Sequence, residues 1–438
     1  MKDWLNSYFD LKGLGTSIRV EILAGITTFM TMAYIIIVNP MILGDAGIPL
    51  AGALFATVLV AGLSSIFMGM YANLPLALAP GMGLNAFFSY TLVLGMGLSW
   101  QTALAAVFVS GVIFVLLSLP GFNIREKIVR AVPNGVRIGV AAGIGLFLAL
   151  IGLVNAGIVI SYPATVVAFG GLTPAFWLFL FGLVVAATLL IRKVPGALLI
   201  SIVLTSLVAY VVQSLGWVEG LVFVPQGIVA LPSLSAFLQL DIVGLFTASI
   251  IAPVFALLFT DMFDSISTFM GVTKVAGLVD EDGHPKNAGK ALLVDGASTA
   301  MSGLFGSSPG TAYIESAAGV EQGGRSGLTA VVAGLLFLPF MFFSPLLGFI
   351  PAVATAPVLV LVGLFMMSTL KDVNWTDYEN IVPAFVALIA IPFTYSITEG
   401  IVFGFITYVF IKVLNGKVRD VGLTLWIIFA LSIVLLLV

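Results

Sequence analysis

Apolar residues run along this chain in long unbroken stretches, separated by short polar or Pro/Gly-rich intervals. The stretches fall at about residues 20–44, 51–71, 74–94, 100–120, 134–154, 174–192 and 195–214. A second series falls at about 244–272, 287–305, 308–320, 325–347, 351–370, 380–396 and 398–414, and one more run occupies 421–438. A helix that crosses a bilayer needs about 20 mostly apolar residues. Membrane strands would instead read as segments of about ten alternating residues, and these do not. The pattern predicts an all-α integral membrane protein with fourteen transmembrane spans in two series of seven. The run at 421–438 is long enough to cross but has no counterpart, and the sequence leaves its topology open.

Composition supports this class and charge placement orients it. Of 438 residues, 61% are hydrophobic and 8% charged, where soluble chains carry about 25% charged. With the N-terminus in the cytoplasm and the runs threaded alternately, all 17 Lys and Arg fall on the cytoplasmic side or at helix ends facing it. The opposite loops, 45–50, 155–173, 215–243 and 346–350, carry only acids or no charge. That asymmetry is the expected one for a multi-pass protein of the plasma membrane. The first 21 residues are of mixed polarity and do not read as a cleavable signal peptide. Trp4, Tyr8 and Leu11 share a helical face, which predicts an interfacial anchor.

Several chemistries drop out. A net charge of -3 and no basic tail argue against nucleic-acid binding. Zero Cys removes disulfides, thiolate metal sites and cysteine nucleophiles, and a lone His284 builds no triad or metal centre. No enzyme, cofactor or metal is expected. Gly81-Met82-Gly83-Leu84-Asn85-Ala86 matches a dinucleotide fingerprint, but it lies in an apolar run without the βαβ context that the motif requires. Its glycines read instead as places of close backbone approach to a ligand.

Two runs are broken at equivalent third positions of the two series. One reads Leu76-Ala77-Leu78-Ala79-Pro80-Gly81-Met82-Gly83, the other Leu304-Phe305-Gly306-Ser307-Ser308-Pro309-Gly310-Thr311. Proline suits a first helical turn, and the residue before it prefers extended backbone. Each run is therefore expected to be a short extended piece followed by a half-helix, starting near Gly81 and near Gly310. Paired interrupted segments point to an inverted repeat with a binding site near the bilayer midplane.

Four acids lie inside apolar runs: Asp261, Asp264, Asp295 and Glu315. A carboxylate at membrane depth costs about 2.5–3.5 kcal/mol on insertion scales, so such residues face protein or a water-filled cavity and are commonly functional. Asp261 and Asp264 are three apart and share a helical face. Asp295 sits among Gly296, Ala297 and Ser298, where it could equally tie helices together. No Lys, Arg or His is read in the interior of any span. A site rich in acceptors suits a small neutral solute with several N–H donors. Buried carboxylates can also take up and release protons, which makes H+ a natural coupling ion with Na+ the alternative. Thr27, Thr28 and Thr31 are read as ordinary membrane-helix threonines.

These motifs resemble the AzgA-like purine permeases of the xanthine/uracil permease superfamily. The resemblance is carried by Ala79-Pro80-Gly81-Met82-Gly83-Leu84-Asn85-Ala86-Phe87-Phe88, Leu258-Phe259-Thr260-Asp261-Met262-Phe263-Asp264 and Ile314-Glu315-Ser316-Ala317-Ala318-Gly319-Val320 with Gly323-Gly324-Arg325-Ser326-Gly327-Leu328. It implies two inverted seven-helix repeats that form a core domain (residues 20–120 and 244–347) and a gate domain (121–214 and 348–414). Segments 1–19 and 415–438 then lie outside both. It implies proton-coupled uptake of adenine, guanine or hypoxanthine, with uracil, xanthine or urate as the runner-up substrates and a homodimer as an admissible assembly. Substrate-binding positions carry over to Glu315, Asp261, Gly83 and Asn85, with Thr311 and Phe88 as neighbours. Phe88 and Tyr313 are near enough in sequence to stack on a ring, although ordinary packing is the commoner role. Proton coupling falls to Asp264, with Asp261 and Asp295 as further candidates.

Overall fold

The computed structural model describes residues 2–119, 133–225, 227–246, 251–279 and 285–437. Arg125, Lys127, Arg130 and His284 lie outside the described residues. The first series of spans comprises Ile18–Met32 continued by Ile35–Asp45 (span 1), Leu50–Phe67 (span 2), a broken segment described below (span 3), Trp100–Ser118 (span 4), Asn134–Asn155 (span 5), Pro174–Ile191 (span 6) and Ala197–Ser214 (span 7). The second comprises Ile251–Ala276 (span 8), Ala288–Phe305 (span 9), a second broken segment (span 10), Gly327–Phe337 (span 11), Ala352–Met367 (span 12), Tyr378–Thr394 (span 13) and Ile397–Leu414 (span 14). Among the described residues, nine of these helices have the length and hydropathy to cross a membrane unaided.

The helices begin where the sequence offers a cap. Ser99 accepts from the Thr102 amide at 3.1 Å, and Thr173 accepts from the Phe176 amide at 3.2 Å with Pro174 in the first turn. Ser396 does the same for span 14 through Glu399 N–H. Each satisfies one amide that the helix start would leave without a partner.

Span 3 opens as strand β1 (Leu78–Pro80), passes Gly81 and continues as the helix Met82–Ala86, extended by a wider turn over Phe87–Gly95. Span 10 differs from expectation. Its Pro309-Gly310 pair enters the strand β4 (Gly310–Ala312) rather than leaving it, and the helix Ser316–Glu321 begins six residues after Gly310. The register explains this. β1 and β4 pair antiparallel, with Leu78 opposite Ala312, Ala79 opposite Thr311 and Pro80 opposite Gly310. Gly81 N–H donates to Pro309 O at 2.9 Å and Tyr313 N–H to Ala77 O at 3.0 Å. Antiparallel pairing sets the end of one strand against the start of the other, so only span 3 can turn helical directly after its Pro-Gly.

That pairing also shows the repeat to be inverted, because equivalent segments of the two series run in opposite directions. The helix packing obeys the same exchange. Span 4 packs on span 9 while its counterpart span 11 packs on span 2, and span 5 packs on span 13 while its counterpart span 12 packs on span 6. Spans 1–4 and 8–11 form one group around β1 and β4, and spans 5–7 and 12–14 form another. A small outlying hairpin, β2 (Val159–Tyr162) with β3 (Val166–Phe169), follows span 5. The tail forms a helix, Leu423–Leu437, that packs along span 14 through Phe410, Trp426 and Phe429. At 1.5 Å per residue its 15 residues reach only about 22 Å, short of the ~30 Å hydrocarbon core.

The N-terminal helix Lys2–Tyr8 leaves Trp4 and Tyr8 exposed, as an interfacial anchor requires, but Leu11 is fully buried with Phe9 against Leu328. A fifth membrane-edge acid escaped notice in the sequence because it lies one residue inside the first run. Glu21 is fully buried and caps span 11, accepting from the amides of Arg325 (2.8 Å), Ser326 (3.2 Å) and Thr329 (3.2 Å) and from the Thr329 hydroxyl (2.6 Å). It thereby clamps span 1 to span 11. Glu21→Ala would strand these buried donors and should lower stability by about 3 kcal/mol. Thermal unfolding of the detergent-purified variant should show a clear drop in midpoint, and an unchanged midpoint would refute the clamp.

Candidate functional site

The crossing of β1 and β4 creates the site. Short strands with no third neighbour leave backbone groups that the bilayer cannot satisfy, so they survive only inside protein or beside a cavity. Here side chains complete the pairing. Ser65 bonds both the N–H (2.9 Å) and the C=O (3.0 Å) of Leu78, and Ser316 accepts from Ala77 N–H at 3.0 Å. The Tyr313 hydroxyl donates to Pro80 O. Asn39 of span 1 is the hub behind the break. It donates to Thr57 (2.8 Å) and Ser307 (3.2 Å) and accepts from Asn85 (3.0 Å) and Ser308 (3.3 Å).

In front of the break lies a cavity of about 250 Å³, near the lower end of the ~300–1,000 Å³ typical of small-molecule sites. Its wall includes Gly81, Gly83 and Leu84 from span 3, Phe259, Phe263 and Asp264 from span 8, and Thr311, Tyr313 and Glu315 from span 10. Span 5 adds Arg137 and Ile144, and span 12 with the turn after it adds Phe365, Met366, Ser368 and Thr369. The cavity therefore lies between the two helix groups. It reaches the end of the bundle where basic residues gather, past Arg137 and Thr369. At the other end the groups touch: Thr91 of the core donates to Tyr395 O of the gate at 3.2 Å, and within the gate the Tyr395 ring is held edge-on against Phe147 at 4.9 Å.

Two carboxylates face this space. Glu315 precedes the span 10 helix and accepts from the Tyr34 hydroxyl at 2.8 Å. Asp264 lines the wall and makes no hydrogen bond to a described residue. Orphan amides at the start of the span 3 helix add donors, since the first helical N–H groups have no partner within the helix. Phe259, Phe263, Tyr313 and Phe365 supply flat apolar surface. The combination suits a planar, polar-edged solute better than an ion.

The structure separates the residues singled out from sequence. Glu315, Gly83, Thr311 and Asp264 line the cavity. Asp261, Asn85, Phe88 and Asp295 lie behind it, all buried. Asn85 is engaged with Asn39, and Phe88 is packed in the core while Phe259 and Phe263 occupy the wall. Asp261 accepts from the Thr299 hydroxyl at 2.5 Å, and Thr299 also reaches Gly310 O at 3.1 Å. Asp295, one turn before Thr299, is fully buried and faces Ser265 and the backbone of Ala312. Three residues on a helix subtend about 60°, enough to send Asp264 into the cavity and Asp261 into the span 9–10 interface. Thr31 and Tyr34 both reach Glu315, so the first span contributes after all. Arg137 is a further correction, since a basic side chain does line the cavity. It was hidden by its place one turn inside the span, where positive-inside placement accounts for it equally well.

A helical membrane fold with two broken spans meeting at a cavity between two helix groups defines a transporter rather than an enzyme. The comparisons agree. The profile of the xanthine/uracil-type family, described as a permease family, matches residues 19–403, and the chain belongs to that family. Adenine permease AdeP of Escherichia coli K12 is 43% identical over 420 residues, covering 95% of this chain and 92% of its own. Guanine/hypoxanthine permease PbuO of Bacillus subtilis 168 is 41% identical over 431 residues, covering 97% and 98%. Among solved structures, the transmembrane domain of the cyanobacterial bicarbonate transporter BicA superposes with a TM-score of 0.65 at 17% identity, covering 88% of this chain and 97% of that domain. This likeness extends to the fold, with its inverted repeats and its core and gate.

Gly83 marks where core meets gate. A Cβ placed there would stand 2.6 Å from Ile144 Cγ2 of span 5. Gly83→Ala should cost about 1–3 kcal/mol through this overlap, and the cost should shrink in an Ile144→Ala background. Thermal unfolding of the four-member cycle measures it; equal costs in both backgrounds would reject the contact.

Proposed function

We propose that this protein imports purine nucleobases, namely adenine, guanine or hypoxanthine, by proton symport across the plasma membrane. The observation that carries this reading is the pair of carboxylates, Asp264 and Glu315, set into an aromatic-lined cavity beside the unpaired amides of a half-helix. A purine offers N–H groups to the acids, ring nitrogens to the amides and a flat face to Phe259 and Phe263. The names of AdeP and PbuO support the substrate class. With the N-terminus cytoplasmic, the cavity opens inward. Residues 20–120 and 244–347 act as the core that carries the base, and 121–214 with 348–414 as the gate against which it moves.

The sequence-based division of labour in span 8 is exchanged in this reading. Asp264 touches the base together with Glu315, while Asp261 and Asp295 carry the coupling proton behind the strand pair. Their link to the site is direct, because Thr299 bridges Asp261 to Gly310 O in β4, and Ser265 and Thr311 share a 2.6 Å hydrogen bond between span 8 and the same strand. A proton leaving the acids can thus be felt by the backbone that shapes the cavity.

Uptake of radiolabelled adenine, hypoxanthine, guanine, xanthine and uracil into a permease-deficient strain tests the substrate class; accumulation of uracil or xanthine alone would overturn it. Glu315→Gln and Asp264→Asn each present a donor to a donor and should weaken purine binding roughly ten- to a hundredfold. Unchanged affinity in correctly inserted variants would remove those residues from the site. In proteoliposomes, Asp261→Asn and Asp295→Asn should keep binding but lose accumulation driven by an imposed pH gradient. If both still accumulate purine, or if a Na+ gradient replaces the pH gradient in wild type, the proton assignment fails.

A further inference from the structure

Arg137 is a gate residue on the wall of the cavity that also holds two core carboxylates. It lies in the first turn of span 5, which packs on spans 12, 13 and 14. Its side chain lines the same cavity as Asp264 and Glu315. The guanidinium donates to Asn134 Oδ1 on its own helix and makes no ion pair with a described residue. A guanidinium has five N–H donors and no acceptor, so most of its donors remain open to the cavity. The other titratable groups on the wall do not compete for it. The Tyr34 hydroxyl is given to Glu315 and the Tyr313 hydroxyl to Pro80 O.

The two carboxylates meet different partners through the cycle proposed above, on which this inference rests. When a base is bound, its N–H groups occupy them. Once it has left, Glu315 keeps only the Tyr34 hydroxyl and neither acid has a counter-charge, in a cavity whose only basic side chain among the described residues is Arg137. Attraction between such charges strengthens as water leaves a closing cleft. An unpaired carboxylate at membrane depth resists that closure.

We propose that Arg137 is the counter-ion of the empty carrier. As the gate closes over the vacated site, its guanidinium pairs with Asp264 and Glu315 and neutralises them for the return step. It then acts on the unloaded transition and not on the loaded one. Because it sits on the gate while the acids sit on the core, the pair can form only when the two groups approach, which makes it a latch as well as a neutralising charge.

The two transitions can be separated in proteoliposomes containing wild type, Arg137→Gln or Arg137→Lys. Net uptake of hypoxanthine into empty vesicles requires the unloaded return, whereas exchange against hypoxanthine already inside does not. Arg137→Gln should slow net uptake by about tenfold or more while exchange stays near wild type. Arg137→Lys, which keeps the charge, should recover most of the net rate. Retained exchange also certifies that the variant is folded. Loss of both modes together would make Arg137 a substrate contact or a folding residue, and no loss in either would make it a bystander at the cavity mouth; both overturn the latch. If wild type moves hypoxanthine, adenine and guanine in neither mode, the purine reading itself has failed.

Discussion

Everything else in this structure depends on a three-residue antiparallel pairing buried inside the helix bundle. Two spans abandon helical hydrogen bonding there, and lipid offers no substitute for the lost partners. β1 and β4 satisfy one another, and Ser65 and Ser316 take up further backbone groups at the first strand. The pairing forces the two repeats to run in opposite directions. It also leaves a concave space in front of the crossing, with free helical amides on one side and acids from neighbouring spans on the other. An uninterrupted helix at either position would fill that space.

Around the strands the core is tied by polar contacts rather than by apolar burial alone. Within a bilayer, burying one apolar helix against another gains little, because lipid tails are equally apolar. Specific bonds and close packing decide the arrangement instead. Asn39 joins spans 1, 2, 3 and 10, and Glu21 joins spans 1 and 11. Thr299 and Ser265 join spans 8 and 9 to β4. The gate is built differently. There span 5 approaches spans 12 and 13 backbone to backbone, with the Cβ position of Gly139 2.2 Å from Ala384 O and that of Gly145 2.5 Å from Gly363 O. A core held by directional bonds thus meets a gate held by small-residue packing along the boundary between them. That boundary is where the cavity lies.

The contact at the far end of the bundle has the corresponding logic. Thr91 of the core and Tyr395 of the gate hairpin close the side opposite the cavity, and Tyr395 holds a left-handed backbone (φ 58°) at the turn between spans 13 and 14. Across the boundary the Thr91 hydroxyl bonds the Tyr395 carbonyl, while the Tyr395 ring rests on Phe147 within the gate. The cavity thus lies on one side of the strand crossing and a core–gate contact on the other.

The amino-acid sequence by itself determined the class, the span count and the position of the break in span 3. Those rest on hydrophobic length and on Pro-Gly chemistry, which act within a few residues along the chain. It also marked the buried acids, because a carboxylate in an apolar run is costly wherever it ends up. It could not say which way those acids point. Asp261 and Asp264 differ by about 60° around one helix, and only the packing of span 8 against spans 9 and 10 sends one into the cavity and the other behind it. The start of the span 10 helix was misplaced for a similar reason. Pro309-Gly310 has the same local signature as Pro80-Gly81, but the register of β1 on β4, a contact across some 230 residues, assigns it to a strand. Nothing in the neighbours of Asn39 and Glu21 along the chain distinguishes them; their bonds are to partners that only the folded bundle brings within reach, and only the bundle places Arg137 on the cavity wall.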